Sequence, residues 1–205
     1  VCSSDLSLRL AIWIASSGRP CAISRSGWLA LTARSQASRA CSSVASRTSG
    51  QSGADGIAYD YLGGEAAIKP KADDKVSNGG VTLTWKAHRT PAYFIDFRES
   101  FDPAGGENVA GYAVAYIIAD APMNVTLALG TNDQGKAWLN GKEVFKFLET
   151  RVLERDADKV PVSLVAGQNV LVLKVVNEVN SWQACARFLR GDVAVTNLKV
   201  SLAPR

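Results

Sequence analysis

Apolar and polar residues alternate along most of the chain after residue 56, with the period of two that is typical of β-strands. Val81, Leu83 and Trp85, for example, alternate with polar residues. Strands are predicted in segments that include 57–62, 81–87, 92–97, 109–119, 123–130, 170–176 and 181–189. Turn residues separate these segments, and no long helical pattern is present. The sequence therefore predicts an all-β fold, an antiparallel β-sandwich or jelly roll with eight or nine strands.

The segment GTNDQGKAWLNG, from Gly130 to Gly141, is the strongest local signal in the chain. It predicts an oxygen-rich turn, a short strand containing Trp138, and a second turn at Asn140 and Gly141. Asn-Gly favours a hairpin because both residues tolerate positive φ. Further along, the nearly continuous apolar residues at 170–176 predict a central strand that is covered on both faces.

The charge distribution divides the chain near residue 55. Residues 1–50 contain six Arg, no Lys and one acidic residue, a net charge of +5, whereas residues 51–205 contain 17 basic and 18 acidic residues, a net charge of −1. Basic charge is the usual mark of nucleic-acid binding, but here it belongs to the leader, so we predict no nucleic-acid partner. No apolar run approaches the roughly 18 residues of a membrane helix, so we predict no membrane partner. We expect residues 1–55 to be a disordered leader and residues 56–205 to be the sandwich domain.

Three interpretations of the leader remain open. The apolar LAIWIA after Arg9 is short for a secretory signal, and the Arg- and Ser-rich composition also fits an organellar transit peptide. The third interpretation is that the leader is not native protein sequence. VCSSDL resembles the translation of a sequencing adapter, and Lys-free, Arg- and Ser-rich text also arises from a wrong reading frame of GC-rich DNA. We favour the third interpretation.

Several motifs resemble the galactose-binding-like jelly rolls that accompany bacterial glycoside hydrolases. They are GTNDQGKAWLNGKEV, DKVPVSLVAGQNVLVLKVVNE, WQACARF and DYLGGEAAIKP, and the resemblance covers residues 56–203. It implies a non-catalytic carbohydrate-binding accessory module of a larger secreted or periplasmic bacterial protein. A glycan or a neighbouring catalytic domain would be its partner. It requires no cofactor, although sandwiches of this kind often hold a structural calcium ion.

Aromatic and polar side chains supply the candidate ligand-binding residues. An exposed tryptophan can stack on the apolar face of a sugar ring, which makes Trp85, Trp138 and Trp182 candidates. The alternative is that they belong to the core, since Trp85 and Trp182 are in phase with apolar neighbours. For Trp138 both interpretations remain open, because an inward-facing pair of Ala137 and Leu139 would turn Trp138 toward solvent. His88 and Arg89 follow a strand and are candidates for polar contacts from a loop, with His88 expected at the surface rather than as a general base.

Calcium prefers six to eight oxygen ligands, and Asn132 and Asp133 lie in the oxygen-rich turn. Turn geometry explains the same residues without a metal, and we favour it. Of the four cysteines only Cys185 lies in the domain, where we expect a buried, inert thiol rather than a zinc ligand or a disulfide.

Three functions remain open. The first is the glycan-binding module, and the second is a structural or protein-interaction sandwich with no glycan ligand, which predicts a broad apolar patch on one sheet. The third is an enzyme, for which Asp96, Glu99 and Asp102 would have to form a glycosidase carboxylate pair. The sequence contains no nucleophile elbow and no phosphate-binding loop, so we rank the enzyme last.

Overall fold

A computed structural model of the protein describes residues 28–33, 56–78, 81–101 and 109–205. A 3₁₀ helix spans Glu65–Ala67, and a short α-helix spans Phe97–Phe101. The strands of this part of the chain are, in order, β1 (Trp28–Ala33), β2 (Lys75–Asn78), β3 (Val81–Thr84), β4 (Lys86–His88), β5 (Ile95–Asp96), β6 (Val109–Ala119), β7 (Met123–Asn132), β8 (Gln134–Leu139), β9 (Lys142–Phe147), β10 (Asp158–Leu164), β11 (Gly167–Asn177), β12 (Gln183–Arg190), β13 (Val193–Ala194) and β14 (Lys199–Ser201).

Two antiparallel sheets form the sandwich. The larger has seven strands in the order β4-β1-β6-β11-β8-β9, with β14 also pairing with β6. The smaller has five strands in the order β10-β7-β12-β13, with β5 also pairing with β12, and β2 and β3 form a separate hairpin. The predicted all-β antiparallel sandwich is confirmed. The strands are more numerous than expected because short strands extend both sheets at their edges.

The inner core lies between the two sheets and follows the alternation of the sequence. Ala113, Ala115 and Ile117 of β6 face Leu127 and Leu129 of β7 in this core, and all are buried. The prediction of a central strand at 170–176 is confirmed, because β11 lies between β6 and β8 and is buried from Asn169 to Asn177.

The outer face of the seven-stranded sheet is also covered. Tyr112 and Tyr116 of β6 and Trp138 of β8 pack there against Trp85, with partly buried side chains from residues 61–76 around them. The backbone of Trp85 is held by two hydrogen bonds, from Asp73 N (2.8 Å) and to Asp74 O (2.9 Å). Residues 57–76, together with Trp85, therefore form a covering layer over this sheet.

The prediction of a strand at 57–62, within the covering layer, is wrong. Residues 56–58 are helical and the chain then loops. The Asp60 carboxylate accepts hydrogen bonds from the backbone N–H groups of residues 62 to 65 (2.6–3.4 Å). Gly63 and Gly64 adopt positive φ (69° and 137°). An aspartate that binds the following amides stabilises a turn in place of strand pairing.

Two other predicted strands are shorter than expected. The segment 92–97 is a strand only at Ile95–Asp96, because Asp96 then begins the short helix. The segment 81–87 is divided at Trp85 into β3 and β4, since the backbone of Trp85 pairs with Asp73 and Asp74 instead.

The two predicted turns of the 130–141 segment have different outcomes. Asn140 and Gly141 have φ of 52° and 82° and join β8 to β9, which confirms the Asn-Gly hairpin. The first turn is not a hairpin. Asp133 alone separates β7 from β8, and these strands belong to different sheets, so the chain crosses the sandwich here through a cis Asn132–Asp133 peptide.

The strand β1 lies within the segment that was predicted to be leader. Its residues pair with β4 on one side and β6 on the other. The rest of the predicted leader lies outside the described residues.

Candidate functional site

All three candidate tryptophans are buried, so none is a sugar-stacking surface in this structure. Trp85, Trp138 and Trp182 are 1%, 5% and 0% exposed. Ala137 and Leu139 face the inner core, and Trp138 consequently faces outward. It remains buried because the covering layer lies over it, with Lys136 Nζ 4.9 Å from the ring centroid.

A buried ion pair fastens the covering layer to the sheet. Lys174, fully buried on β11, donates to Glu65 Oε1 (2.6 Å), Ile57 O (3.2 Å) and Tyr59 O (2.5 Å). The hydroxyl of Tyr112 donates to the same Glu65 oxygen. Burial lowers the pKa of Lys174, with Glu65 acting in the opposite direction, and raises the pKa of Tyr112. Three acceptors satisfy the three ammonium donors, which is the arrangement of a structural clasp.

The crossover at residues 132–134 is polar and buried. Asp133 Oδ2 accepts from Glu178 N (2.8 Å) and Val179 N (3.4 Å), and Gln134 Nε2 donates to Glu178 Oε1 (2.6 Å). Asn132 Oδ1 and Gln134 Oε1 are buried and have no hydrogen-bond partner in the described part of the chain. These amide oxygens and the carboxylate are ligands that calcium accepts.

No group of three or more His, Cys, Asp or Glu side chains that could hold a metal is found among the described residues. The crossover thus supplies only a few of the six to eight oxygens that calcium prefers. A calcium site at Asn132 and Asp133 stays a prediction.

The expectation of a surface His88 is wrong, since this side chain is only 5% exposed. Burial lowers its pKa to about 2, because the charged imidazolium would lose its hydration. The next residue, Arg89, is exposed. The two candidates are therefore not brought together as a polar binding pair.

The loop after β9 folds onto the smaller sheet instead of extending into solvent. Arg151 bonds Asp158 Oδ2 (2.5 Å) and Arg187 bonds Asp156. The hydrogen bond with Arg187 lowers the pKa of Asp156. Below this loop, Cys185 is 4% exposed, and burial raises its pKa to about 11, which confirms the predicted buried thiol.

A polar cleft of about 530 Å³ opens between the short helix and the β11–β12 connection. Five residues line it: Asp96, Arg98, Glu99, Asn180 and Ser181. Local interactions position them. Asp96 Oδ1 accepts from the amides of Arg98 (3.0 Å) and Glu99 (3.1 Å) and so caps the helix, while its Oδ2 accepts from Gln183 Nε2 (2.9 Å).

The two walls of the cleft are tied together and rest on the core. The Arg98 guanidinium donates to the carbonyl of Asn180. Beneath them, the Phe97 and Trp182 rings stack with centroids 5.0 Å apart, and Trp182 Nε1 donates to Val175 O (3.2 Å). Trp182 is thus a buried support of the cleft.

The cleft does not assemble a carboxylate pair from the described residues. Both oxygens of Asp96 are engaged as acceptors, which leaves Glu99 as the exposed carboxylate, and Asp102 lies outside the described residues. A general acid and a base or nucleophile are both needed for glycoside hydrolysis. The residues that line the cleft are all polar, so it contains potential hydrogen-bond donors and acceptors.

The sequence analysis did not identify Arg98, Asn180 or Ser181 as site residues. One local signal was available. Asp96 and Glu99 have the spacing of a helix capping box, which predicts a helix start rather than a strand at this point. No sequence signal brings the residues near 180 to this helix, because their proximity depends on the pairing of β5 with β12.

Comparisons with known proteins leave the family open. No protein-family model and no curated protein matches the chain. Similar solved structures include an anti-sigma factor domain-containing protein (13% identity, TM-score 0.42, 58% of this chain and 39% of that one). Others are a PA14 domain of the antifreeze protein MpAFP (8%, 0.38, 48% and 54%) and a PA14 sugar-binding domain from an RTX adhesin (10%, 0.37, 50% and 55%). The alignments span less than two thirds of each of those chains and are too distant to assign a function.

In the part of the chain that the structure describes, no helix has the length and apolar character needed to cross a membrane.

Proposed function

We propose that this chain is a non-catalytic carbohydrate-binding module of a larger secreted or periplasmic bacterial protein, and that it binds a glycan in the cleft beside the short helix. The observation that carries the proposal is a cleft whose lining includes Arg98, Glu99, Asn180 and Ser181, residues with guanidinium, carboxylate, amide and hydroxyl groups. Neighbouring sugar hydroxyls can donate to the carboxylate and accept from the guanidinium or amide.

The proposed site predicts weak binding. None of the lining residues is aromatic, so a sugar ring would gain hydrogen bonds without a stacking surface. Glu99, Asn180 and Ser181 are also exposed, and water competes for each of their hydrogen bonds. Weak binding suits an accessory domain that keeps a larger protein near a polymer, where several contacts add.

A glycan array followed by titration calorimetry tests the proposal. Glu99→Gln keeps the size of the side chain and should weaken binding by about 10-fold, as expected for a lost charge-assisted hydrogen bond. Glu149→Gln, at an exposed residue outside the cleft, is the matched control and should bind like the wild type. A folded protein that binds no glycan, or that binds equally well with Glu99→Gln, would overturn the proposal.

The second candidate is a structural or protein-interaction sandwich. One observation favours it, namely the burial of Trp85, Trp138 and Trp182, since none of these three side chains can stack on a sugar ring. However, the broad apolar patch that it predicts is not supplied by a sheet face. The exposed large apolar side chains belong mainly to connections, such as Tyr93, Leu148, Val152, Val165 and Val179. We therefore keep the glycan-binding function as the first proposal.

A further inference from the structure

An exposed tyrosine lies a short distance from the cleft along the chain. Tyr93 is 43% exposed, and Tyr59 is the other tyrosine among the exposed large apolar side chains of the described residues. Tyr93 precedes Asp96, which lines the cleft, by three residues, so their Cα atoms are at most about 11 Å apart. Tyr93 is not one of the lining residues. It therefore lies close to the cleft but outside its polar lining.

Two contacts hold the Tyr93 ring in place. The guanidinium carbon of Arg155 lies 5.7 Å from the ring centroid, within the range of a cation–π interaction. The rings of Phe94 and Tyr93 meet in an edge-to-face arrangement, with their centroids 5.1 Å apart. A side chain that is already held loses less conformational entropy when a ligand packs on it. The exposed part of Tyr93 is therefore a preorganised apolar surface.

The loop that carries Arg155 is anchored to the same strand as the wall of the cleft. Asp156, the next residue, forms an ion pair with Arg187 of β12. The strand β12 also pairs with β5, which contains Asp96. The support of the Tyr93 ring and the lining of the cleft thus share one rigid element, which fixes their relative positions.

We propose that Tyr93 is a second binding position beside the cleft, on which one ring of an oligosaccharide stacks while an adjacent ring binds in the cleft. This inference rests on the proposed glycan function. The apolar face of a sugar ring can stack on an aromatic ring while its hydroxyls hydrogen-bond around the edge. Because Tyr93 does not line the cleft, the stacked ring is a different one from the ring in the cleft. The ligand class is therefore an oligosaccharide or polysaccharide rather than a monosaccharide.

The dependence of binding on the number of sugar rings tests the inference. The probes are cello-, xylo- and manno-oligosaccharides of one, two and three rings, and NMR titration measures their affinities. The wild type should bind the longer probes of at least one series more tightly than the single ring. Tyr93→Ala should weaken the binding of these longer probes by about 3- to 10-fold, the range expected for the loss of one stacked pair, and leave that of the single ring unchanged. Glu99→Gln should weaken the binding of every length, because every length occupies the cleft.

Two variants serve as controls. Tyr93→Phe keeps the aromatic ring and should bind all the probes like the wild type. Tyr59→Ala removes the other exposed tyrosine, which also has an edge-to-face neighbour, Tyr61, at a centroid distance of 4.7 Å. Because Tyr59 belongs to the covering layer and does not line the cleft, Tyr59→Ala should also bind like the wild type.

The outcomes separate this inference from the proposed function. If Glu99→Gln weakens binding but Tyr93→Ala leaves every length unchanged, the cleft stands and the second position is overturned. The second position is also overturned if Tyr93→Ala weakens the single ring as much as the longer probes. A wild type that binds none of the probes would overturn this inference, whereas the proposed function is decided by the glycan array.

A second measurement applies if Tyr93→Ala does not fold. The ring signals of Tyr93 in the NMR spectrum of the wild type can be assigned by their absence from the spectrum of Tyr93→Phe. These signals should shift when the longer probes are added and stay unchanged with the single ring. Ring signals that do not respond to bound longer probes would overturn the second position.

Discussion

Replacing Lys174 by methionine tests whether the buried clasp holds the covering layer on the sheet. Methionine is similar in length to lysine, so the substitution removes the ammonium group and little volume. Without the ammonium group, the Glu65 carboxylate, which is 6% exposed, keeps Tyr112 as its remaining described side-chain partner. The carbonyls of Ile57 and Tyr59 also lose the hydrogen bonds that they accept from Lys174.

The size of the effect follows from the burial of both partners. Breaking a buried ion pair by removing one partner costs about 3–5 kcal/mol, mostly because the other charge is left uncompensated. Unfolding free energies of domains are about 5–15 kcal/mol, so Lys174→Met should remove a large fraction of the stability. Adding Glu65→Leu to Lys174→Met also removes the buried carboxylate that has lost its ion-pair partner. The double variant should therefore recover part of the lost unfolding free energy.

Urea unfolding followed by circular dichroism measures these changes. Lys199 supplies the matched control, since its ion pair with Asp120 is long (3.5 Å) and both side chains are more than two thirds exposed. Lys199→Met should change the unfolding free energy by no more than about 1 kcal/mol. If Lys174→Met costs as little as Lys199→Met, or if the second substitution worsens the loss, the clasp is not a source of stability.

Three further predictions concern other buried groups. His88 is the only histidine, and its folded-state pKa of about 2 lies below the ordinary 6.5, so stability should fall as the pH decreases below 6.5. The limiting slope is about 1.4 kcal/mol per pH unit, and unfolding measured between pH 6.5 and 5 should show a flatter profile for His88→Gln. Gly130→Ala would place a methyl group 2.1 Å from the carbonyl oxygen of Glu154, so the loop must shift, and alkylation followed by peptide mass spectrometry should find Cys185 more reactive than in wild type. If calcium binds at the crossover, calcium but not magnesium should raise the Tm of wild type and leave that of an Asn132→Ala, Asp133→Asn variant unchanged.

The sequence predicted the inner architecture of the domain because the inner core depends on a short-range pattern. The long apolar segment of β6, the alternation in β7, the continuous apolar run of β11 and the Asn140-Gly141 turn are local features, and each has the predicted structure. The outer layer could not be predicted in this way. Ile57 and Tyr59 resemble strand residues, but their carbonyls bind Lys174, which lies more than a hundred positions further along the chain.

The candidate site was harder to predict than the fold for a related physical reason. The sequence analysis selected three tryptophans as candidate ligand-binding residues. Tryptophan carries a large apolar surface, and its burial stabilises the fold, so these side chains lie in the core instead. The cleft instead consists of ordinary polar residues. They lie close together only because Gln183 of β12 pairs with Asp96 of β5, which is distant in the sequence. Asp96 was noticed as a possible acid, but its two oxygens are used to begin a helix and to hold β12.

The burial of both faces of the larger sheet limits where a ligand can act. An antiparallel sheet with one solvated face can present aromatic side chains directly, but here residues 57–76 and Trp85 cover that face, and Lys174 binds this covering layer to the sheet. On this sheet, a ligand would therefore have to bind at an edge or at the connections between strands. The proposed cleft lies at such connections, and the Phe97–Trp182 stack supports it. Gly111 of β6 lies against the Trp182 ring, and a Cβ added at this position would be 2.5 Å from a ring carbon, so a larger residue at 111 would displace the ring that supports the cleft.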